Sequence, residues 1–431
     1  MLNFYHFITG HAGLAFEGIL RRRTAANKED PARVDEKRGL TTKTRPKGQL
    51  LWIHAASVGE SQSALILIEH VLAQSPQLNI LVTTGTKTSA AMMDKNLPKG
   101  AFHQFAPLDY PQWVDKFLDH WRPDLALWME SELWPNMLRA IKTRNIPAAL
   151  INARLSEKSF KRWAFISDSA ARLLGAFTMI LTQTQNDADS YLALGAQNVA
   201  VTGNLKYSAA PLPFDKSELK ALAGAISRRP VWLYASSHKG EEALACRVHE
   251  ALKAQIPGLL TIIVPRHPER REDITATCAQ HKLTYNLRSQ DRALPDAKDD
   301  IYIADTLGEL GLFYRLAPVA VIGRSFSDDG GGGHNPIEAA QLHCAVLSGP
   351  HVQYQQQLFD DMAGADAATI LHDEQALAGT VMDLLGNPDK LKDAQESAHD
   401  FVIARSDMVE RTLQELSPLL AALQTRKKSA S

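Results

Sequence analysis

The stretch Leu50-Leu-Trp-Ile-His-Ala-Ala-Ser-Val-Gly-Glu60 joins a run of four apolar residues and a histidine to a glycine-containing turn that opens a helix pattern. Such a run, followed at once by a helix, is typical of a strand in a parallel sheet with both faces covered. The pattern repeats along the chain. The other strand-like runs are 80–83, 125–129, 148–152, 179–182, 231–235, 260–264, 301–304, 319–322 and 345–348.

The linker Ala209-Ala-Pro-Leu-Pro-Phe214 divides these runs into two series of five. A chain of 431 residues is long for a single hydrophobic core. We therefore predict an α/β protein with two Rossmann-like domains facing a central cleft. The predicted boundaries are 1–48 for an N-terminal segment near a membrane, 49–208 for the first domain, and 209–425 for the second domain with its C-terminal helices.

Composition and charge exclude several classes of protein. The formal net charge is -1, so binding of nucleic acid through bulk charge is not expected. The three cysteines, Cys246, Cys278 and Cys344, form no CxxC pair. Neither a structural zinc site nor a disulfide framework is therefore indicated.

The first fifty residues carry ten Lys and Arg against five Asp and Glu. The apolar run 1–20 is interrupted by His6, His11 and Glu17, and Arg21-Arg-Arg23 follows it directly. That run is too interrupted to span a membrane, and its basic residues come after it rather than before, unlike a signal peptide. Two interpretations remain, a packed helix or an interfacial helix, and the local positive charge favours contact with an anionic membrane surface.

Glu60 directly follows the first predicted strand. Ser57-Val-Gly-Glu60 fits a capping box, in which the glutamate only satisfies a backbone N–H. Ligands, however, bind at the carboxyl ends of parallel strands, and Gly59 allows close approach of the backbone. The functional interpretation is a general base, which the nearby helix N-terminus would keep ionised.

Glu130 and Glu132 follow the predicted strand 125–129. Residues i and i+2 share a face in an extended segment, so a paired role is possible. Substrate hydrogen bonding is favoured over metal binding, because no nearby His or Asp completes a ligand set. The alternative is that one carboxylate faces solvent or an arginine.

Basic and polar groups also follow strands in the second half. Arg266 and His267 come after the strand 260–264, and Ser236 lies at the end of the strand 231–235. Such groups suit a phosphate or a carboxylate, although an isolated Arg-His pair is common on protein surfaces.

Gly330-Gly-Gly-Gly-His-Asn-Pro-Ile-Glu338 combines a glycine run with helix-starting residues. Asn335 is a suitable N-cap and Pro336 a suitable first helical residue. Capping does not explain four glycines, whereas a flexible loop opening a helix is a ready anion site. The run is neither a GxxxxGK[ST] nor a GxGxxG motif, so ATP hydrolysis and NAD-dependent oxidoreduction are poorly supported.

Seven segments, in order, resemble the bacterial Kdo (3-deoxy-D-manno-oct-2-ulosonic acid) transferases of lipopolysaccharide synthesis, which have the GT-B fold. The matching segments are 52–60, 130–136, 203–206, 236–242, 265–268, 305–309 and 332–338.

The resemblance implies an inverting transfer of Kdo from CMP-Kdo to a lipid A precursor, with Glu60 as the catalytic base. It implies acceptor binding by Glu130 and Glu132. The residues that it implies for donor binding are Lys206, Ser236, Arg266, His267, Leu307, Gly333, Asn335 and Glu338.

The donor carries a single phosphate, so neither a metal nor another cofactor is expected. Arg324 stands where the family commonly has a glycine, and Asp328 and Asp329 would disfavour a nearby phosphate unless they point away. The implied location is the cytoplasmic face of the bacterial inner membrane, with peripheral or N-terminal attachment. The alternatives are another GT-B nucleotide-sugar transferase or epimerase, and a non-catalytic nucleotide-binding protein that docks on membranes.

Overall fold

The computed structural model describes residues 1–327 and 330–425, which fall into two compact units. Unit 1 comprises Met1–Ala209 together with the described residues from Ser406 onward. Unit 2 comprises Ala210–Arg405.

Unit 1 is built on a seven-stranded sheet in which every paired strand is parallel. Its order, β3-β2-β1-β4-β5-β6-β7, reverses between β1 and β4, as in a Rossmann fold. The strands are β1 Leu50–His54, β2 Asn79–Thr84, β3 Ala101–Phe105, β4 Leu125–Met129, β5 Ala148–Ala153, β6 Met179–Thr182 and β7 Val199–Val201.

Helices pack on both faces of this sheet. Residues 113, 114, 117, 118 and 121 of one of them are all buried and share one helical face. The helices are α1 Leu2–His11, α2 Gly13–Ala25, α3 Val58–Gln74, α4 Lys87–Asn96, α5 Pro111–Trp121, α6 Pro135–Thr143, α7 Glu157–Ala164, α8 Ser167–Leu174 and α9 Gln185–Ala193, with 3₁₀ helices at Pro31–Arg38 and Leu205–Ser208.

Unit 2 repeats the plan with a second parallel seven-stranded sheet, in the order β10-β11-β9-β8-β12-β13-β14. Its order reverses between β8 and β12. The strands are β8 Val231–Ser237, β9 Leu260–Pro265, β10 Tyr285–Leu287, β11 Ile301–Ile303, β12 Val319–Ile322, β13 Ala345–Ser348 and β14 Thr369–Ile370.

The helices of unit 2 range from five to sixteen residues in length. They are α10 Lys216–Ile226, α11 Glu241–Lys253, α12 Arg271–Gln280, α13 Leu310–Tyr314, α14 Ile337–Gln341, α15 Gln356–Ala363, α16 Glu374–Gly386 and α17 Pro388–Ile403, with a 3₁₀ turn at Pro268–Arg270.

The last helix corrects one expectation. Helix α18, Met408–Thr425, packs on unit 1, whereas the sequence placed all C-terminal helices in the second domain. Its side chains Val409, Leu413 and Leu416 are buried in the same hydrophobic cluster as residues of β1 and α3. The chain returns to unit 1 because burial of this apolar face of α18 is favourable.

The N-terminal segment forms two helices that pack on unit 1 by one side. The ring of Phe16 stacks on Tyr110 at 5.2 Å between centroids, and His6 Nδ1 lies 2.8 Å from Asn136 Oδ1. The other side leaves Phe4 at 66% and Phe7 at 64% exposed. Within the described residues, no helix is both long and apolar enough to cross a membrane.

Candidate functional site

Glu60 and Glu130 lie at the carboxyl ends of β1 and β4, the neighbouring strands between which the order of the first sheet reverses. This is the position at which open α/β sheets bind ligands. Both carboxylates are largely buried, with 6% of each residue exposed. Each glutamate follows a strand as predicted, and the pairing of β1 with β4 brings the two strand ends side by side in unit 1.

The capping role of Glu60 is real, and it fixes the carboxylate. The backbone N–H of Ala56 donates to Glu60 Oε2 at 2.7 Å, and the Ser57 hydroxyl donates to Oε1 at 3.1 Å. In return, Ser57 Oγ accepts the N–H of Glu60 at 3.3 Å. The cap and the base hypothesis are thus compatible, because the cap holds the carboxylate in one orientation.

The protonation of Glu60 differs from expectation. Burial, followed by the negative charges of Glu130 and Glu132, raises its pKa to about 7, although the hydrogen bonds from Ala56 and Ser57 lower that pKa. The prediction that the helix N-terminus would keep this carboxylate firmly ionised was wrong, because desolvation and like charge outweigh the cap. A pKa near neutrality suits a general base.

Glu130 is held by an arginine that the sequence analysis did not single out. Arg154, which directly follows β5, places its Nε 3.1 Å from Glu130 Oε2. Glu130 itself has a φ of +55°, an uncommon backbone conformation for a residue with a side chain. Arg154 was predictable by the rule that selected Glu130, because it too follows a strand at the carboxyl edge.

Lys206 belongs to the same cluster. Asn152 Oδ1, at the end of β5, accepts the N–H of Leu205 at 3.0 Å and so fixes the 3₁₀ turn that carries the lysine. Burial lowers the pKa of Lys206, and the nearby positive Arg154 adds to that effect. The charges of Glu130 and Glu60 oppose it. Four charged groups of unit 1 therefore influence one another at one edge of the sheet.

Glu132 faces an aromatic group rather than a metal site. Its Oε2 accepts the indole N–H of Trp134 at 2.8 Å, and its backbone carbonyl accepts the N–H of Trp128. Both indoles pack on the buried ring of His54. Within residues 1–327 and 330–425, no group of three His, Cys, Asp or Glu side chains is arranged to hold a metal ion.

In unit 2, polar residues lie at the carboxyl ends of two neighbouring strands, β8 and β9. Ser236 is in the last part of β8, His238 directly follows that strand, and Arg266 and His267 follow β9. The Arg266 N–H donates to the carbonyl of Ser237 at 3.0 Å, which fixes the backbone of the arginine while its side chain stays exposed.

Two histidines of unit 2 meet at this edge. His238 Nε2 lies 3.0 Å from His334 Nε2, and the two rings stack at 5.1 Å between centroids. Burial lowers the pKa of His334 to about 3, and the positive potential of His238 and Arg266 lowers it further. His334 is therefore neutral at pH 7. His334 lies in the glycine-rich segment 330–338 and was not among the predicted site residues.

Asn335 and Glu338 lie beside each other, with Asn335 Nδ2 donating to Glu338 Oε1 at 3.4 Å. Asn335 Oδ1 also accepts the N–H of Ile337, the first residue of α14. The prediction of Asn335 as N-cap and Pro336 as first helical residue was wrong by one position, because α14 is a single turn with Pro336 at its N-cap. Burial raises the pKa of Glu338 to about 7, against the lowering effects of Asn335 and Arg266.

The glycine run is more firmly bound than the sequence predicted. All four residues from Gly330 to Gly333 have positive φ, which explains why glycine is needed. The N–H groups of Gly332 and Gly333 donate to the carbonyls of His351 and Arg324 at 3.0 Å. These two amides are thus already engaged by the backbone and are not free to bind an anion, whereas donor binding by Gly333 stays a prediction.

The chain before this run is also tightly constrained. Glu241 is buried and accepts backbone N–H groups from His238, Arg324, Ser325 and Phe326 at 2.7–3.0 Å. Arg324 has a φ of +60°, so the arginine occupies a backbone conformation that favours glycine. Asp328 and Asp329 lie outside the described residues.

Leu307 lies in the turn between β11 and α13 and is 75% exposed. Its neighbours Asp305 and Glu309 are engaged with Ser289 and Arg288. The structure therefore presents this side chain at the carboxyl edge of the sheet, without a packing role for it.

Comparison with known proteins decides the family. Residues 32–209 match the family described as 3-deoxy-D-manno-octulosonic-acid transferase (kdotransferase). A protein of that name from Rickettsia felis is 35% identical over 94% of this chain and 87% of its own length. The corresponding Haemophilus influenzae protein is 30% identical over 87% and 88%.

The chain belongs to the Kdo transferase family. It is thus a glycosyltransferase, and the predicted resemblance is confirmed. Among solved structures, the UDP-GlcNAc 2-epimerase of Neisseria meningitidis covers 86% of this Kdo transferase at 14% identity and a TM-score of 0.57. At that identity the likeness concerns the fold alone, and with the two parallel sheets it confirms the GT-B class.

Proposed function

We propose that this Kdo transferase moves Kdo from CMP-Kdo to a hydroxyl of a lipid A precursor (lipid IVA) with inversion. The observation that carries the proposal is Glu60, a buried carboxylate at the strand reversal whose pKa is about 7. Family membership supports the transferred sugar, and Glu60 supports the chemistry.

Glu60 acts as the general base. Its carboxylate takes the proton of the acceptor hydroxyl while that oxygen forms a bond to the anomeric carbon of Kdo. The bond from the same carbon to the phosphate oxygen breaks, and CMP leaves with the electron pair. One displacement of this kind inverts the anomeric centre, through a transition state with oxocarbenium character.

Acceptor binding is assigned to Glu130 and Glu132. Arg154 keeps Glu130 oriented through the ion pair at 3.1 Å, and the indole of Trp134 does the same for Glu132 at 2.8 Å. Two oriented carboxylates suit the hydroxyl groups of a sugar, because each oxygen accepts hydrogen bonds.

Donor binding is assigned to Ser236, Arg266, His267, Asn335 and Glu338, with Leu307 and Gly333 beside the nucleotide. Arg266 stabilises the leaving phosphate, and Glu338 accepts hydrogen bonds from ribose hydroxyls. Lys206 supplies positive charge for the carboxylate of the transferred sugar. Metal-independent transfer remains a prediction.

Transfer of labelled Kdo to a tetra-acylated lipid A precursor tests the proposal, with purified CMP-Kdo and detergent, with and without EDTA. We expect transfer by the wild type in both conditions. Loss of the base in Glu60→Gln should lower the rate by about 100-fold or more. The matched control is Glu157→Gln, because Glu157 is an exposed glutamate of the same unit that pairs with Lys161.

Wild-type rates from Glu60→Gln would remove Glu60 as the base. Failure of folded wild type to use CMP-Kdo, with turnover of a UDP-sugar instead, would favour the other GT-B enzymes. Absence of any transfer with bound nucleotide would favour a non-catalytic protein. Loss of activity in EDTA, restored by a divalent cation, would contradict metal independence.

We also propose peripheral attachment to the cytoplasmic face of the bacterial inner membrane. The supporting observations are the exposed apolar side chains of α1 and α2, among them Phe4, Phe7 and Leu14, and the exposed Arg21 and Arg22 at the end of α2. Apolar side chains next to cations suit an anionic interface. Membrane fractionation of cells that express the protein tests this attachment.

A further inference from the structure

A cavity of about 390 Å³ lies in unit 1 between α1, α6 and α8. Its apolar wall is aliphatic and contains Leu2, Pro135, Leu138, Leu173 and Ala176. A volume of this size is within the range of small-molecule sites. The lining contains no aromatic ring to stack on a nucleotide base and no carboxylate to bind sugar hydroxyls.

Three cations surround the cavity, namely Arg139, Lys142 and Arg172, and all three are exposed. Arg139 Nη1 donates to Asn3 Oδ1 at 2.9 Å, which directs the guanidinium across the mouth toward α1. No acidic residue lines the cavity, and among the residues that the structure describes none of the three cations forms an ion pair. The cavity therefore combines an aliphatic wall with an uncompensated positive rim.

The direction of α6 places two of the cations, Arg139 and Lys142, away from the Glu60 cluster, while Pro135 and Asn136 at the start of the helix also line the cavity. Arg139, Lys142 and Thr143 are three and four residues apart, so they share one face of the helix. Helix α6 starts at the carboxyl edge of the sheet and, because it connects two parallel strands, runs toward the amino edge. The cations of its last turns thus lie away from the edge that carries Glu60 and Glu130.

The cavity adjoins the apolar face of the N-terminal helix. Leu2 lines the cavity, while Met1 is 74% and Phe4 is 66% exposed on the same helix. Exposed apolar side chains next to a cation-rimmed cavity match the two parts of an amphiphile, an acyl chain and a negatively charged headgroup.

We propose that this cavity binds one anionic glycerophospholipid of the bilayer. An acyl chain lies on the partly exposed wall of Leu2, Pro135 and Ala176, above the buried Leu138 and Leu173. The phosphate is bound by Arg139, Lys142 and Arg172. The inference rests on the proposed membrane attachment and adds a specific lipid site to it. It assigns no part in the transfer reaction to these residues.

Calorimetric titration with short-chain phosphatidylglycerol, kept below its micelle concentration, tests the site without any membrane. The full-length wild type is expected to bind this probe. The variant Arg139→Gln/Lys142→Gln/Arg172→Gln removes the cations and should bind about tenfold more weakly or worse. Lys47→Gln/Lys95→Gln/Lys99→Gln, which changes the same net charge at exposed lysines outside the cavity, should bind as the wild type does.

A second pair of variants tests the acyl chain. Ala176→Trp fills the cavity and keeps its charges, and Thr143→Trp does the same from an exposed position, where folding is least at risk. Both should weaken binding of short-chain phosphatidylglycerol, and short-chain phosphatidylcholine should bind the wild type more weakly. Wild-type affinity in both folded tryptophan variants, or equal affinity for inorganic phosphate, would overturn the proposal.

Kdo transfer to detergent-dispersed acceptor separates this inference from the proposed function. The glutamine and tryptophan variants should keep the wild-type KM for the acceptor. A raised acceptor KM in Ala176→Trp would overturn the assignment to a bilayer lipid and make the cavity an acceptor subsite. Lipid binding by a wild type that transfers no Kdo would leave the site standing and reject the proposed function.

Discussion

At the residue scale, Glu60 and Glu338 are both buried glutamates, but their charged neighbours differ. Burial raises the pKa of each to about 7. The like charge of Glu130 contributes to the raised pKa of Glu60, whereas Asn335 and Arg266 counteract the effect of burial on the pKa of Glu338. A base benefits from the first environment, because it binds a proton near neutrality. A group that accepts hydrogen bonds benefits from the second, because its charge has a cationic neighbour.

The pH dependence of transfer follows from the Glu60 neighbourhood. Only the deprotonated form is a base, so kcat/KM should rise with pH up to an apparent pKa of about 7 and fall about tenfold per pH unit below it. Glu130→Gln removes a like charge and frees Arg154, and both changes lower the pKa of Glu60. The acidic limb should therefore move to lower pH.

Measurement of kcat/KM from pH 5 to pH 9 for wild type and Glu130→Gln checks this shift. The variant should also have a higher acceptor KM, because Glu130 is assigned to the acceptor. Glu132→Gln provides a comparison, since Glu132 raises the same pKa less than Glu130 does. An acidic limb that stays in place in Glu130→Gln would show that Glu60 is not the titrating base.

The sequence predicted which strand ends carry these carboxylates, but their protonation depends on tertiary contacts. Glu60 and Glu130 are seventy residues apart in sequence, and only the pairing of β1 with β4 brings their strand ends together. Arg154 also follows a strand, but its role depends on the ion pair with Glu130, which only the folded chain brings within 3.1 Å.

At the scale of elements, interior strands were predicted nearly to the residue and edge strands were missed. Strands β1, β4, β6, β12 and β13 have the predicted bounds. The four unpredicted strands, β3, β7, β10 and β14, are the edges of the two sheets. Edge strands are buried on fewer sides, so they can be short and lack the continuous apolar run by which a central strand is recognised.

The glycine run 330–333 shows why a motif alone was not enough to predict the role of its backbone amides. The sequence favoured free amides, yet the loop is held by its own backbone and by residues 351–354. A side chain at Gly332 would overlap the ring of Tyr354, which is a packing requirement rather than a requirement of a ligand. The constraint lies some twenty residues away in sequence and has no local signature.

Glu241 should be among the main supports of this edge of unit 2. Glu241→Ala removes the acceptor of four backbone N–H groups, one of them buried and three partly buried, so we expect a loss of about 3 kcal/mol in the free energy of unfolding. Urea denaturation followed by circular dichroism measures the loss. Glu396→Ala, at an exposed pair with Lys392, should change stability by less than about 0.5 kcal/mol. Equal stability of the two variants would contradict the supporting role.

At the scale of the whole molecule, the division of the chain into two units was predicted, but the packing of the last helix on unit 1 was not. Two series of five strand-like runs correctly indicated two parallel sheets. The final helix gave no sign in sequence of the unit on which it packs, because an amphipathic helix specifies that it needs an apolar surface and not which one. The cluster that contains Leu416, Leu67 and Ile68 supplies that surface in unit 1.

This return makes the stability of the first unit depend on the last residues of the chain. Leu416 is fully buried in the core of unit 1, so Leu416→Ala should lower the free energy of unfolding of that unit by about 2–5 kcal/mol. Tryptophan fluorescence reports mainly on unit 1, because six of the seven tryptophans lie there and only Trp232 lies in unit 2. The fluorescence transition in urea should therefore move to lower urea concentration.

The control is Leu377→Ala, which changes an equally buried leucine of unit 2. It should leave the fluorescence transition in place and shift only the part of the circular dichroism change that comes from the unfolding of unit 2. If Leu416→Ala and Leu377→Ala shifted the fluorescence transition alike, the two units would unfold as one, and if Leu416→Ala did not shift it, α18 would not be part of the core of unit 1.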